Sequence, residues 1–287
     1  RNNLFIDGDR DGAYAKSRDS TVIVENNDFS GNRLDTPELE FDNVENHTLD
    51  YIPGDPEDEY SYVFAPEDET RRVLDRLGEG QAFGWTLTYA EGYLWRFTAG
   101  SVDFLRLDPE TGDTVEYRTP DQIMNPRGLT WDGTHFWVND FSLLKLFKLA
   151  VEGRKVRVVD SFDIPEKELG GTAGLTNDGE FLYLVSRDGS KLYQLTKQGA
   201  LVDELELAAP VHHSIVWTGE CFWATGGHHR GISRLTPKGE VVGAIYPPAR
   251  CTWALAWDGE HLWTVQRTCE MWNDAKVFKL QILDDSF

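Results

Sequence analysis

A nine-residue phrase recurs five times between residues 87 and 263, and nothing else in the chain restricts the fold as tightly. Its copies occupy 87–95, 129–137, 175–183, 215–223 and 255–263, so successive starts lie 42, 46, 40 and 40 residues apart. Each copy opens on an aliphatic anchor (Leu87, Leu129, Leu175, Ile215, Leu255) and closes eight residues later on an aromatic one (Trp95, Trp137, Tyr183, Trp223, Trp263). Between them a glycine-bearing turn, Asp-Gly in three copies, separates short runs rich in β-branched and aromatic residues, which is the pattern of a β-hairpin. A third run ends on a leucine 20 residues past the anchor in the first four copies and 25 past it in the fifth. A fourth run follows a further turn, as at 201–207 and 241–246. Four antiparallel strands per about 40–45 residues make one propeller blade. A parallel α/β fold would need helical crossovers, and this region carries no 3.6-residue apolar period. The sequence therefore predicts an all-β, five-bladed β-propeller of four-stranded antiparallel blades.

The fifth copy lacks a fourth run, because only seven residues follow Leu280. Ahead of the first copy, Arg71-Arg-Val-Leu-Asp-Arg-Leu77 resembles Val156-Arg-Val-Val-Asp-Ser-Phe162, the fourth run of the second copy. We expect residues 70–77 to supply the missing outer strand, joining the two ends of the ring and removing an exposed sheet edge. Residues 70–287 then form the propeller and residues 1–69 an acidic N-terminal extension.

Register along an antiparallel meander assigns residues to faces. The loops that enter each innermost strand, and those that join the second strand to the third, emerge on one face, called upper here. That face collects the residues two before each anchor: Trp85, Arg127, Ala173, His213 and Trp253. These should ring the axial mouth. The next residue is small in every copy (Thr86, Gly128, Gly174, Ser214, Ala254), as crowded inner strands require. The loops after the second strands add Arg96, Asn139, Asp140, Arg187, Asp188, His228, His229, Arg230 and Arg267, and the loop of the fifth blade holds an insertion of about five residues around Cys269, Glu270 and Trp272. Aromatic walls with a few convergent polar groups describe a ligand pocket. The candidate ligand-binding residues are therefore Trp85, Arg127, Asn139, Arg187, His213, His228, Trp253 and Arg267. The competing reading is that these side chains simply fill the mouth. One histidine from each of the pairs 212/213 and 228/229, with Asp140 or Glu270, could hold a transition metal; hydrogen-bonding histidines are the alternative. The recurrent aromatics should pack between blades, and Asp132, Asp178 and Asp258 should form turns.

Charge narrows the partners. The net charge is −21, and residues 1–69 hold 19 acidic and 5 basic side chains against 30 and 23 in the remainder. Such a surface repels nucleic acid and anionic membranes, and no apolar run approaches the ~18 residues of a membrane span. Asp7-Gly-Asp-Arg-Asp-Gly12 matches the first half of a calcium loop, making Asp7, Asp9 and Asp11 candidate Ca2+ ligands, although Arg18 stands where an EF-hand needs a bidentate glutamate. A plain acidic turn is the competing reading. Residues 21–24 read as a strand and 35–69 as an extended arm carrying one glycosylation sequon at Asn46. The three cysteines are too few for a disulfide framework. Cys251 and Cys269 fall on the upper side of the same blade and form a candidate disulfide, which would indicate an oxidising, extracellular setting. Cys221 opens a strand and reads as a buried small apolar residue. A start on Arg1 rather than Met reads as a processed form or a fragment.

The phrase Gln81-Ala-Phe-Gly-Trp-Thr-Leu-Thr-Tyr-Ala90, set in a five-bladed ring, resembles the plant-type glutaminyl cyclases (glutamine cyclotransferases). That family opens one blade with Ala-Phe-Thr-Gln-Gly-Leu and the next with Phe-Gly-Glu-Gly-Leu-Thr. The resemblance implies the same fold over residues 70–287. It does not carry over the catalytic residues: Trp85 stands in place of the family's glutamine, and Arg127 in place of the acidic residue implied in proton transfer. Arginine stays charged near neutral pH and cannot act as a general acid or base.

Three functions are compatible with these observations. The expected one is a secreted or surface-exposed, non-catalytic propeller that binds a small molecule, glycan or protein partner at its upper mouth. The alternatives are a structural unit of an extracellular assembly, and a divergent glutaminyl-cyclase-like or metal-assisted enzyme using the same mouth. No phosphate-binding loop or nucleophile elbow is present.

Overall fold

Five antiparallel sheets of four strands each build the propeller. The computed structural model describes residues 4–7, 12–15, 71–81, 84–98, 102–164, 172–225, 231–245, 251–267 and 275–282. The chain divides into two compact units, Arg1–Phe64 and Ala65–Phe287. In the first, β1 (Leu4–Asp7) and β2 (Gly12–Ala15) pair antiparallel with Asp7 opposite Gly12. Asp9 and Asp11 lie outside the described residues, as do the strand expected at 21–24 and the arm at 35–69.

The second unit opens with β3 (Arg71–Gln81). Blade one is β4 (Thr88–Ala90), β5 (Tyr93–Phe97), β6 (Phe104–Leu107) and β7 (Thr114–Tyr117). Blade two is β8 (Pro126–Trp131), β9 (Phe136–Asp140), β10 (Lys145–Glu152) and β11 (Lys155–Asp163). Blade three is β12 (Thr172–Asn177), β13 (Leu182–Ser186), β14 (Lys191–Leu195) and β15 (Leu201–Glu206). Blade four is β16 (Ile215–Trp217), β17 (Phe222–Thr225), β18 (Ile232–Leu235) and β19 (Val241–Ile245). Blade five takes β20 (Cys251–Trp257), β21 (Leu262–Arg267) and β22 (Ala275–Ile282) from the end of the chain and β3 from before blade one. The closing strand is therefore the expected one, with Val73 opposite Leu280 and Leu77 opposite Val277, but it runs on to Gln81. Among the described residues no helix is long and apolar enough to cross a membrane.

The recurrent aromatics weld neighbouring blades. Trp95 is buried between its own Phe104 and Tyr117 and Phe136 of blade two, with ring centroids 5.2, 5.1 and 4.9 Å away. Trp137 is fully buried with Leu175, Leu182 and Leu184 of blade three, and Trp263 with Leu87, Leu94 and Leu107 of blade one. Burying an aromatic ring in these seams is a large apolar contribution. Cys221 is buried as expected.

The turn aspartates do more than turn. The Asp132 Oδ1 accepts from the amides of Thr134 and His135, and its Oδ2 accepts from Trp137 Nε1 at 2.8 Å. Asp178 and Asp258 repeat this with Tyr183 Oη and Trp263 Nε1, both at 2.8 Å. Each carboxylate thus fixes the aromatic five residues later. Blade one has Ala90 at this position, and there Trp95 Nε1 donates to the Ala90 carbonyl instead.

Burial by itself would raise the Asp132 pKa, but the hydrogen bonds from Trp137, His135 and Lys197 outweigh it and hold the carboxyl at about 2. A folded-state pKa below the unfolded value of 3.8 stabilises the fold above pH 3.8, and the stabilisation is lost as pH falls towards 2. Asp132→Asn is accordingly expected to cost on the order of 2 kcal/mol at neutral pH. Urea unfolding at pH 6 and pH 2 checks this: the gap between wild type and variant should largely close at the lower pH. A gap independent of pH would remove the carboxylate from the account.

Candidate functional site at the axial mouth

The mouth is built by β-bulges. In the β8–β9 ladder Pro126 pairs with Asp140 and Gly128 with Asn139, which leaves Arg127 as an extra residue. In β20–β21 Thr252 pairs with Gln266 and Ala254 with Val265, which leaves Trp253 extra. The β12–β13 register slips between Thr172 and Leu175, around Ala173. In blade four the His212 amide donates to the Thr225 carbonyl and the Thr225 amide to the Ser214 carbonyl, so the ladder bypasses His213. A bulged residue leaves the ladder and its side chain is re-aimed. In these four blades the irregularity falls two residues before the anchor, so the extruded side chains come from equivalent points around the axis.

All five of these residues, Trp85, Arg127, Ala173, His213 and Trp253, line one cavity of about 260 Å3. Phe141, Arg187 and His212 complete its wall. Trp85 and Trp253 meet edge to face, with centroids 4.5 Å apart and planes at 83°. The His213 ring lies 4.1 Å from Trp253 and 6.0 Å from Trp85. The Arg127 guanidinium lies over the other indole, 4.0 Å from the Trp85 ring centre, a cation–π geometry that orients the planar group. Burial pulls the Arg127 pKa below its ordinary value, though arginine stays charged near neutral pH.

Arg127 is also held from beneath. Its Nε donates to Asn125 Oδ1 at 3.2 Å, and Asn125 Nδ2 donates to Ser142 Oγ at 3.1 Å. Asp140 organises the two loops involved: Oδ2 accepts from the amides of Met124 and Asn125, and Oδ1 from those of Ser142 and Leu143, at 2.7 to 3.0 Å.

Several residues expected at this face are not among those that line the cavity. Arg96, Asn139 and Asp140 are fully buried. Asn139 lies away from the cavity, its Nδ2 donating to the Ala173 carbonyl of the next blade at 3.1 Å. Asp140 has both oxygens engaged by backbone amides, which removes it as a metal ligand. Among the described residues no three His, Cys, Asp or Glu side chains cluster so as to hold a metal ion. Arg267 ends β21 and Cys251 opens β20 opposite it. His228, Cys269 and Glu270 lie outside the described residues.

Phe141 is the lining residue that the sequence reading missed. It stands twelve residues past its anchor, the position that Arg187 holds in blade three, so aligning the repeats would have found it.

No protein-family model and no curated protein matches the sequence. Among solved structures, the glutaminyl cyclase of Myxococcus xanthus is similar over 75% of this chain and 97% of that one, at 16% identity and a TM-score of 0.59. The shared part is the fold. The PQQ-bound aldose sugar dehydrogenase of Streptomyces coelicolor is similar over 76% of this chain and 100% of that one, at 12% identity and a TM-score of 0.53. The repeat thus builds a propeller with the fold of that glutaminyl cyclase, and its chemistry has to be read from its own mouth.

Proposed function

We propose that this is a secreted or surface-exposed, non-catalytic propeller that binds a ligand at its upper axial mouth. The observation that carries the reading is the convergence of two indoles, a phenyl ring, two guanidiniums and two imidazoles on one concave space. Indoles and guanidiniums bind and orient; they do not transfer protons near neutral pH. A cavity of about 260 Å3 lies just under the ~300–1,000 Å3 range of drug-sized sites, which favours a small molecule over a glycan or protein chain as the group that enters it. His213, the imidazole packed against the tryptophan pair, is what favours the second reading, an enzyme working at the same place.

The test is a thermal-shift screen of small metabolites against wild type and the double variant Arg127→Ala/Trp253→Ala. The expected result is at least one compound that raises the wild-type melting temperature by several degrees and leaves the double variant unmoved. Compounds that shift both proteins equally would place binding elsewhere. Turnover of a hit that is lost in His213→Ala, with binding retained, would favour the enzyme.

A further inference from the structure

Resting on the mouth being a binding site, we infer that its occupant is a small planar organic anion, an aromatic or heteroaromatic carboxylate. The carboxylate is taken by Arg127 and Arg187, and the ring lies against the Trp85–Trp253–His213 wall.

The charge arrangement comes first. Arg127 and Arg187 approach the same ring, each with its guanidinium carbon 5.4 Å from the centre of Phe141. Two like charges brought to one ring repel unless an anion stands between them. Neither has a carboxylate partner among the described residues. Arg127 makes a single hydrogen bond there, through Nε to Asn125, which leaves the two terminal nitrogens of its planar fork for something else. Among the described residues that line the cavity none is acidic. The neighbouring carboxylate, Asp140, is fully buried with four amide hydrogens on its two oxygens, so its lone pairs are committed to the loops. In a chain of net charge −21, a concavity whose described lining is wholly cationic, aromatic, imidazole or small is not what composition alone would produce.

Shape and size set the rest. Arginine forks recognise carboxylate and phosphate alike through paired N–H donors. Beside the arginines the cavity wall is made of flat rings, Trp85 under the Arg127 guanidinium, Trp253 at 83° to it and His213 against both, which suits a flat ring rather than a compact tetrahedral ion. The volume, about 260 Å3, is the liquid share of about nine water molecules, enough for a fused ring with its acid group.

Isothermal titration calorimetry of the full chain with indole-3-carboxylate, its primary amide and inorganic phosphate tests the inference. The carboxylate should bind about tenfold or more tightly than the amide, because the amide keeps the ring and loses the charge. That preference should fall to near unity in Arg127→Gln/Arg187→Gln and also decline in Arg187→Gln alone, an exposed position whose change does not threaten folding. An amide as tight as the acid, a preference that survives in the double variant, or binding of neither ring compound would overturn the inference. Phosphate competing as strongly as the ring acid would overturn its aromatic part. If the amide binds wild type but not Arg127→Ala/Trp253→Ala, the mouth remains a binding site and only its anionic character is refuted.

Discussion

Deleting residues 1–81 is expected to abolish the folded propeller, whereas deleting residues 1–64 should leave it intact. The two truncations differ by β3. That strand pairs with β22 from Gln81 opposite Ala275 to Arg71 opposite Ile282, and it is the fourth strand of the last blade. Without it β22 presents a row of unpaired N–H and C=O groups, an edge that recruits other chains. The larger loss is topological. The seam between blades five and one, where Trp253, Trp263, Val265 and Val277 meet Leu87, Leu94 and Leu107, joins segments separated by most of the propeller sequence. β3 places chain from just before blade one inside blade five, so the entropy of bringing the ends together is spent once and both seam and sheet benefit. Removing such a clasp should cost several kcal/mol, a large share of the ~5–15 kcal/mol that holds a domain folded. The shorter truncation cuts at the boundary between the two compact units and spares β3. Near-UV circular dichroism of the tryptophans and size-exclusion chromatography separate the outcomes: the shorter truncation should keep the wild-type spectrum and melting temperature, and the longer one should aggregate or melt without cooperativity. A cooperative transition at the wild-type temperature for residues 82–287 would show that the ring closes without its clasp.

The closure was legible because an absence and a presence matched: one blade short of a strand, one spare strand ahead of the ring. Its length was not, since the pairing contains register shifts between Ala275 and Val277 and between Lys279 and Leu280, and a simple alternating pattern stops at the first irregularity. The mouth was legible for a similar reason. A fixed offset from the anchor, bulged in four of the blades, puts side chains from equivalent positions at equivalent heights, so counting two residues back from Leu129 or Leu255 finds Arg127 or Trp253. Depth was not legible. Arg96, Asn139 and Asp140 follow the same offsets as exposed loop residues, yet in β5 and β9 they are fully buried, Asn139 against the Ala173 carbonyl of the next blade and Asp140 beneath the amides of its own loops. Counting along a strand gives direction, and coverage depends on how close the next blade stands. Phe141 escaped for the opposite reason: a search for polar ligands passes over a phenyl ring at the same offset as Arg187.

The distance between blades is itself set by the small residue that precedes each anchor, and this makes Gly128→Ala a severe substitution. A Cβ at Gly128 would lie 2.4 Å from the Leu175 amide nitrogen and 2.5 Å from both Leu175 Cβ and Asn139 Oδ1. Real Cβ atoms essentially never approach other heavy atoms within 3.0 Å. Two of those neighbours belong to the anchor of blade three, held in the β12–β13 ladder and in the seam with Trp137, so neither can swing aside as a side-chain tip would. At the equivalent place in blade four the chain has Ser214, whose Oγ accepts from the Leu255 amide of the next blade at 3.0 Å. Blades four and five therefore stand far enough apart for a hydroxyl, and blades two and three do not. Gly174 is intermediate, since a Cβ there would lie 2.9 Å from the Ile215 amide nitrogen. Gly128→Ala should cost about 3 kcal/mol or more, at or above the upper end of ordinary overpacking, and Gly174→Ala about 1–2 kcal/mol. Urea midpoints at constant m-value would establish the order. Because Gly128 follows Arg127 directly, the blade shift that relieves the clash must also displace the bulge. Any Gly128→Ala protein that still folds should therefore bind mouth ligands less tightly than Gly174→Ala, whose neighbour Ala173 brings no polar group to the cavity. Equal stability of Gly128→Ala and wild type would mean that the blades are not spaced by this contact.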